Sequence, residues 1–120
     1  MSNPNLIPPI ANAIANGELP LGVFSNPALF ELEKEHVFAK TWNFLAHESE
    51  IPNAGDYVQR YIADDSFIVS RDKHNKVHVV LNACRHRGRK VCSVEKGNTR
   101  NFSCPYHGWV YDLDGALINI

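Results

Sequence analysis

The feature that most constrains this 120-residue chain is a pair of short cysteine–histidine motifs in its C-terminal half. One residue separates Cys84 from His86, and two residues separate Cys104 from His107. Thiolate sulfur and imidazole nitrogen are ligands of transition metals, and four of them in two tight pairs are hard to attribute to chance. Each pair lies on a short predicted loop, so two loops can close over one metal site from opposite sides.

The four residues Cys84, His86, Cys104 and His107 suit a [2Fe–2S] cluster in which two cysteines hold one iron and two histidines hold the other. This is the Rieske arrangement. Neutral imidazoles reduce the negative charge of the site, so the cluster accepts an electron more easily than an all-cysteine cluster does. The predicted role is one-electron transfer. These four residues are the predicted cofactor and metal ligands, and no catalytic residue is assigned.

A structural zinc ion is the first alternative, because zinc also accepts two sulfurs and two nitrogens. Zinc sites usually pair cysteine with cysteine and histidine with histidine. Each motif here mixes one residue of each type. The spacing therefore favours iron and sulfide over zinc, and metal analysis separates the two.

The residues around the ligands resemble a known family. Residues 82–88 (NACRHRG) and 102–112 (FSCPYHGWVYD) are similar to the two cluster-binding motifs of aromatic-ring-hydroxylating oxygenase alpha (large) subunits. The resemblance is to the N-terminal Rieske domain, and it runs from about Ser25 to the end of the chain. We expect an N-terminal arm at residues 1–24 and a Rieske domain at residues 25–120. We interpret the sequence as a fragment without the catalytic mononuclear-iron domain.

The resemblance implies a dioxygenase that adds O2 to aromatic compounds, and it leaves open the members of the family that monohydroxylate or demethylate instead. Its Rieske domain accepts electrons from a ferredoxin or a reductase, with NADH as the indirect donor, and passes them to a mononuclear Fe(II) in the absent catalytic domain. The implied partners are that domain and a beta subunit. The aromatic substrate is not bound by this fragment. A stand-alone Rieske ferredoxin, an electron carrier, is the alternative; the resembling segment upstream of the motifs argues against it.

Respiratory-complex Rieske proteins resemble this site but differ in two ways. They carry an extra cysteine in each motif, where this chain has Arg89 and Tyr106. They also place a serine after the His-Gly pair, where this chain has Trp109. Losing a hydroxyl donor to the sulfurs lowers the potential, so we expect a value near the low end of the Rieske range. Related sites imply that Tyr111 offers its hydroxyl to a ligand sulfur.

Composition excludes several classes of protein. A net charge of −1 argues against a nucleic-acid or membrane-surface protein. No stretch approaches the roughly 18–20 apolar residues of a membrane span. The N-terminus lacks the basic segment of a secretion signal, and Cys92 has no partner for a disulfide once the other two cysteines are ligands. These features predict a cytoplasmic protein.

The coarse pattern predicts a mainly β fold, a Rieske-type antiparallel sandwich or small barrel with one N-terminal helix. The helix is expected from Pro27 to about Lys40 with Asn26 as its cap. Residues 1–24 are expected to form an extended arm. The predicted strands are residues 42–46, 57–62, 67–71, 77–82, 101–103 and 109–112, with a last one near Leu117.

Overall fold

The computed structural model describes residues 4–120. The chain forms two compact units, one ending at Asn43 and the other spanning Phe44–Ile120. The first unit is helical and the second contains all of the strands. None of the helices within residues 4–120 is long and apolar enough to cross a bilayer.

The N-terminal arm contains a helix, so the expected extended conformation was wrong there. A 3₁₀ turn at Pro4–Leu6 leads into α1 (Ile7–Ala15). Pro8 and Pro9 lie in the first turn of α1, where the backbone N–H groups have no partner within the helix. Proline is therefore tolerated at this point and presets the helical φ angle. The single N-terminal helix expected from the sequence is corrected to two.

Helix α2 (Pro27–Glu33) begins where the sequence predicts. The side-chain oxygen of Asn26 accepts hydrogen bonds from the backbone N–H groups of Ala28 at 3.0 Å and Leu29 at 3.3 Å. The helix does not continue to Lys40 as a regular α-helix. A π-helical turn at Lys34–Phe38 follows it, in a stretch whose histidine, valine and phenylalanine have low helix propensity.

Four antiparallel strands form the first sheet. They are β1 (Asp56–Ile62), β2 (Asp65–Arg71), β3 (Val77–Leu81) and β4 (Lys96–Asn98), in the spatial order β3-β2-β1-β4. The sequence predicts the first three strands but not β4. Lysine, glycine and asparagine have low β propensity, so β4 exists because β1 pairs with it. Gly97 fits there because a Cβ would lie 2.8 Å from the Tyr57 hydroxyl.

Three short antiparallel strands form the second sheet. They are β5 (Phe102–Ser103), β6 (Val110–Tyr111) and β7 (Leu117–Asn119), in that spatial order. The strand expected at residues 42–46 was wrong, because this segment has no strand partner. The side-chain amide of Asn43 instead donates to the carbonyl oxygens of Phe38 and Thr41 at 2.8 and 3.0 Å, just after the π-helical turn.

A buried apolar cluster joins the two sheets. Tyr57 and Ile68 come from the first sheet and Phe102 from the second, and Cys92 and Leu113 complete the cluster. The Tyr57 and Phe102 rings meet edge to face, with centroids 5.2 Å apart. The expected mainly β, antiparallel fold class is confirmed. Because this core fixes the two sheets together, it also fixes the positions of the strands β3 and β5, from which two loops leave.

The turn between β2 and β3 is organised by Asp72. Its carboxylate accepts backbone hydrogen bonds from His74 at 2.8 Å and Lys76 at 2.9 Å, and it lies 2.8 Å from Nε2 of His78. The hydrogen bond from His78, together with those from Lys76 and His74, lowers the pKa of Asp72 to about 2. An unfolded aspartate has a pKa of about 3.9.

We expect Asp72 to stabilise the fold above about pH 4 and to lose that effect as the pH falls towards 2, because its folded pKa is the lower one. Asp72→Asn removes the titrating group, so the variant should be less stable than wild type at pH 7 and should differ less at pH 2.5. Urea unfolding midpoints at pH 7, 4 and 2.5 measure this. If the midpoints of wild type and Asp72→Asn differ by the same amount at all three pH values, the lowered pKa of Asp72 is contradicted.

Candidate metal centre

The predicted ligands lie on two loops of the second unit. The first ligand loop (residues 82–92) follows β3, and the second ligand loop (residues 103–110) joins β5 to β6. In the first loop the backbone N–H of Cys84 donates to the carbonyl of Arg89 at 2.8 Å, and that of Gly88 donates to the carbonyl of Cys84 at 2.7 Å. Each bond curls the chain around the cysteine.

The second ligand loop repeats this pattern. Cys104 N–H donates to the carbonyl of Trp109 at 2.8 Å, and Gly108 N–H donates to the carbonyl of Cys104 at 3.0 Å. Gly88 and Gly108 have φ angles of 71° and 78°, in the left-handed region that favours glycine. The two loops therefore present their cysteines in matching backbone frames, although the spacing to histidine differs by one residue.

The two cysteine side chains are buried together. Cys84 is 3% exposed and Cys104 is 2% exposed, and both pack in one cluster with Tyr111. The Tyr111 hydroxyl oxygen lies 3.2 Å from the Cys84 sulfur and accepts the backbone N–H of Arg85 at 3.0 Å. Because Arg85 occupies a lone pair of that oxygen, the hydroxyl proton is free to point at sulfur. The hydroxyl contact implied by related sites is present.

The surroundings of Cys84 favour the thiolate, which is the form that binds metal. Burial opposes ionisation, but hydrogen bonds from Tyr111, from the backbone of His86 and Arg87 and from the Cys104 side chain outweigh it, so the pKa of Cys84 is lowered. The pKa of Tyr111 is raised, first by burial and then by its hydrogen bond to Cys84. The tyrosine therefore keeps its proton and acts as the donor.

The two histidines face one another at the exposed tips of the loops. Nδ1 of His86 lies 3.1 Å from Nδ1 of His107, and the ring centroids are 4.6 Å apart. Two imidazole nitrogens on one tetrahedral metal such as zinc, at about 2.0–2.1 Å from it, lie about 3.3 Å apart. The two Nδ1 atoms contact each other directly, at a separation close to that of two ligands on a single metal ion.

Aromatic rings surround this pair. Trp109 stacks on His86 with centroids 4.9 Å apart and planes inclined by 13°. The ring centroids of Tyr106 and His107 are 3.9 Å apart. The guanidinium carbon of Arg87 lies 5.7 Å from the centroid of the Tyr106 ring. The contact of Arg87 with Tyr106 joins the two loops and was not predicted from the sequence. The aromatic residue between Cys104 and His107 was the available signal.

The four donors divide into two pairs. The cysteines form an inner pair and the histidines an outer pair. A [2Fe–2S] cluster needs this division, with sulfur ligands on one iron and nitrogen ligands on the other. The four residues remain the predicted ligands, and their chemistry and placement fit the cluster.

Two other histidines of the second unit, His47 and His78, have local structural roles. Nδ1 of His47 accepts the backbone N–H of Ser49 at 3.2 Å, and the His47 N–H donates to the Glu50 carboxylate at 2.9 Å, so together they cap the 3₁₀ turn Glu48–Glu50. His78 pairs with Asp72. Neither residue takes part in the ligand loops.

Comparison with known proteins places the chain in a family. The model of the Rieske [2Fe-2S] domain matches residues 41–120. The N,N-dimethyl phenylurea N-demethylase subunit alpha of Sphingobium sp. (strain YBL2) is 43% identical over 91% of this chain and 24% of its own length. The anthranilate 1,2-dioxygenase large subunit of Acinetobacter baylyi is 47% identical over 82% of this chain and 21% of its own length.

A solved structure agrees with these relatives. Naphthalene 1,2-dioxygenase from Rhodococcus sp., bound to indole, superposes with a TM-score of 0.83 and 47% identity, covering 92% of this chain and 25% of that one. The chain thus spans about a quarter of the length of the proteins that it matches. The resemblance to oxygenase alpha subunits is confirmed, and the chain belongs to the Rieske [2Fe-2S] domain family.

Proposed function

We propose that this chain is the electron-transfer domain of a ring-hydroxylating oxygenase alpha subunit, with Cys84, His86, Cys104 and His107 as the cluster ligands. The observation that carries the proposal is the division of the four donors. Two thiols lie in an apolar interior, and two imidazoles lie 3.1 Å apart at an exposed tip. An electron held at the tip is accessible to a partner protein, whereas the thiols are shielded from water.

A bound cluster of this kind takes up and releases one electron at a time. The chain's own residues prepare the site for that exchange. Tyr111 aims a hydroxyl at the Cys84 sulfur and stabilises added negative charge there. Trp109 covers one face of His86 and limits its contact with water. Because the two Nδ1 atoms face each other, Nε2 of each histidine is left for a hydrogen bond to another group.

The charge of the first ligand loop supports an acidic electron donor. The chain has no aspartate or glutamate from Lys73 to Val94, a stretch with six of its twelve lysines and arginines. Arg85 and Arg87 flank His86 and are exposed. Opposite charges on two electron-transfer proteins raise their association rate. A ferredoxin or reductase with an acidic face, supplied by NADH, is the proposed donor.

The relatives indicate the kind of enzyme that this domain would serve. Their names include dioxygenases of biphenyl, benzene and anthranilate and an N-demethylase of a phenylurea. We therefore propose an aromatic compound as substrate and a mononuclear Fe(II) site in the part of such enzymes beyond the segment matched here. A catalytic domain and a beta subunit are the proposed structural partners. A cytoplasmic location completes the proposal, because none of the three cysteines at positions 84, 92 and 104 forms a disulfide, as expected in a reducing compartment.

Electron paramagnetic resonance of the dithionite-reduced protein, purified without oxygen, tests the cluster. We expect a rhombic signal whose average g value is below that of the free electron, with two irons and two sulfides per chain. The control is the same sample before reduction, which should be silent. Absence of the signal together with one zinc per chain would contradict the proposal and would identify a structural zinc module.

A further inference from the structure

The first ligand loop lacks the support that the second one has. The second loop is closed at its base by strand pairing, with Ser103 opposite Val110 in the β5–β6 ladder. The first loop leaves β3 at Leu81, and residues 91 and 92, where it returns, belong to no strand. Backbone pairing therefore cannot hold its two ends together at that point.

The side chain of Asn82 takes the place of that pairing. Asn82 is 2% exposed and directly follows β3. Its amide oxygen accepts the backbone N–H groups of Val91 at 3.0 Å and Cys92 at 2.9 Å. Its amide nitrogen donates to the carbonyl of Cys92 at 2.7 Å. One side chain thus binds the returning segment of the loop through three backbone groups.

The same side chain also joins the loop to the sheet. The Asn82 amide nitrogen donates its second hydrogen to the Ser66 hydroxyl at 3.1 Å, and the Asn82 backbone N–H donates to the Ser66 carbonyl at 2.8 Å. Ser66 lies on β2 and also receives a hydrogen bond from Gln59 of β1 at 3.0 Å. The base of the loop is therefore connected to two central strands.

The hydrogen-bonding capacity of this amide is used completely. An asparagine side chain offers two donors and two acceptor positions, and Asn82 fills all four, with Val91, Cys92 and Ser66 as partners. A carboxylate cannot donate a hydrogen bond to the Cys92 carbonyl, and a hydroxyl has too few donors and acceptors to make all four hydrogen bonds. An apolar side chain would leave these buried backbone groups without hydrogen-bond partners, which lowers stability. The four contacts thus call for an amide, which Asn82 supplies at this distance, and this role was not predicted from the sequence.

We propose that Asn82 is a positioning residue that closes the first ligand loop and thereby holds His86 against His107. The proposal rests on the function proposed above, since it concerns the ligands named there. Asn82 touches neither histidine. It acts through the loop, because Cys84 and His86 lie two and four residues from it and the loop is exposed from residue 85 to residue 90.

The test compares Asn82→Ala with Asn98→Ala in the metal-loaded protein. Asn98 is a matched control, because its amide donates to the Ala54 carbonyl at 3.0 Å and to the Asp56 carboxylate at 2.8 Å, outside the ligand loops. One readout is hydrogen exchange of the Val91 and Cys92 amides. The others are the g values and the midpoint potential of the reduced cluster.

For Asn82→Ala we expect exchange of these two amides to rise about tenfold or more, since each loses its acceptor. We also expect shifted or multiple g values and a changed midpoint potential, because His86 no longer has one position. Asn98→Ala should leave all three readouts at their wild-type values. A purely structural role of Asn82 would lower the unfolding midpoint without altering the spectrum of the bound cluster.

An Asn82→Ala protein that keeps wild-type exchange, g values and potential would overturn the proposal. So would equal changes in the Asn98→Ala protein. If Asn82→Ala does not fold, Ser66→Ala decides, because it removes one of the four hydrogen bonds of the Asn82 amide. We then expect hydrogen exchange of the Val91 and Cys92 amides to rise about twofold or more, and unchanged exchange would overturn the proposal. Exchange is readable whichever metal the protein holds, so a zinc-bound wild type would refute the proposed function separately.

Discussion

Replacing Cys84 with serine should abolish cluster binding, whereas replacing Cys92 with serine should leave the cluster intact. Both thiols are buried, at 3% and 7% exposure, so burial alone does not separate them. Cys84 shares its cluster of contacts with Cys104, and its pKa is lowered by hydrogen bonds that oppose the effect of burial. Cys92 lies in the core that joins the sheets, where its sulfur is 3.3 Å from the carbonyl oxygen of Val94.

The visible absorption and the iron content of the purified variants measure this difference. We expect Cys84→Ser to lose nearly all bound iron, since a neutral serine hydroxyl is a poor substitute for a thiolate. Cys92→Ser is the matched control and should retain wild-type iron and spectrum with somewhat lower stability. Iron retained by the first variant, or lost by the second, would refute the ligand assignment.

Replacing Tyr111 with phenylalanine should lower the midpoint potential of the cluster. The variant keeps the ring but loses the hydroxyl that lies 3.2 Å from the Cys84 sulfur. A hydrogen bond to a ligand sulfur stabilises the reduced state, which carries one more negative charge. A net hydrogen bond of about 0.5–1.5 kcal/mol corresponds to about 20–65 mV for a one-electron couple.

Tyr57→Phe is the control for this measurement. Its hydroxyl also interacts with a buried thiol, but that thiol belongs to Cys92. The ring packs against Phe102 in the core. A redox titration followed by electron paramagnetic resonance should therefore give a lower potential for Tyr111→Phe and an unchanged one for Tyr57→Phe. Equal potentials for wild type and Tyr111→Phe would show that the hydroxyl does not act on the cluster.

Much of the fold was accessible from local sequence. Asn26 and Pro27 predicted the start of α2, because capping and proline at the first turn depend on neighbouring residues only. Strands β1, β2 and β3 were predicted from runs of β-branched and aromatic residues. Four features were not predicted correctly: the end of α2, the helix α1, the absence of a strand at residues 42–46 and the strand β4. Each depends on helix termini or strand partners that local patterns do not reveal.

The sequence by itself determined the chemistry of the site. The residue types supply two thiols and two imidazoles. Their spacing favoured a two-iron cluster over zinc, because each motif contains one cysteine and one histidine. Only the tertiary structure decided where these donors lie, with cysteines inside and histidines at the tip. It also placed Tyr111 at the sulfur and Asn82 at the base of the loop. The reason is physical: donor identity is local, whereas burial and hydrogen-bond geometry require segments distant in sequence to meet.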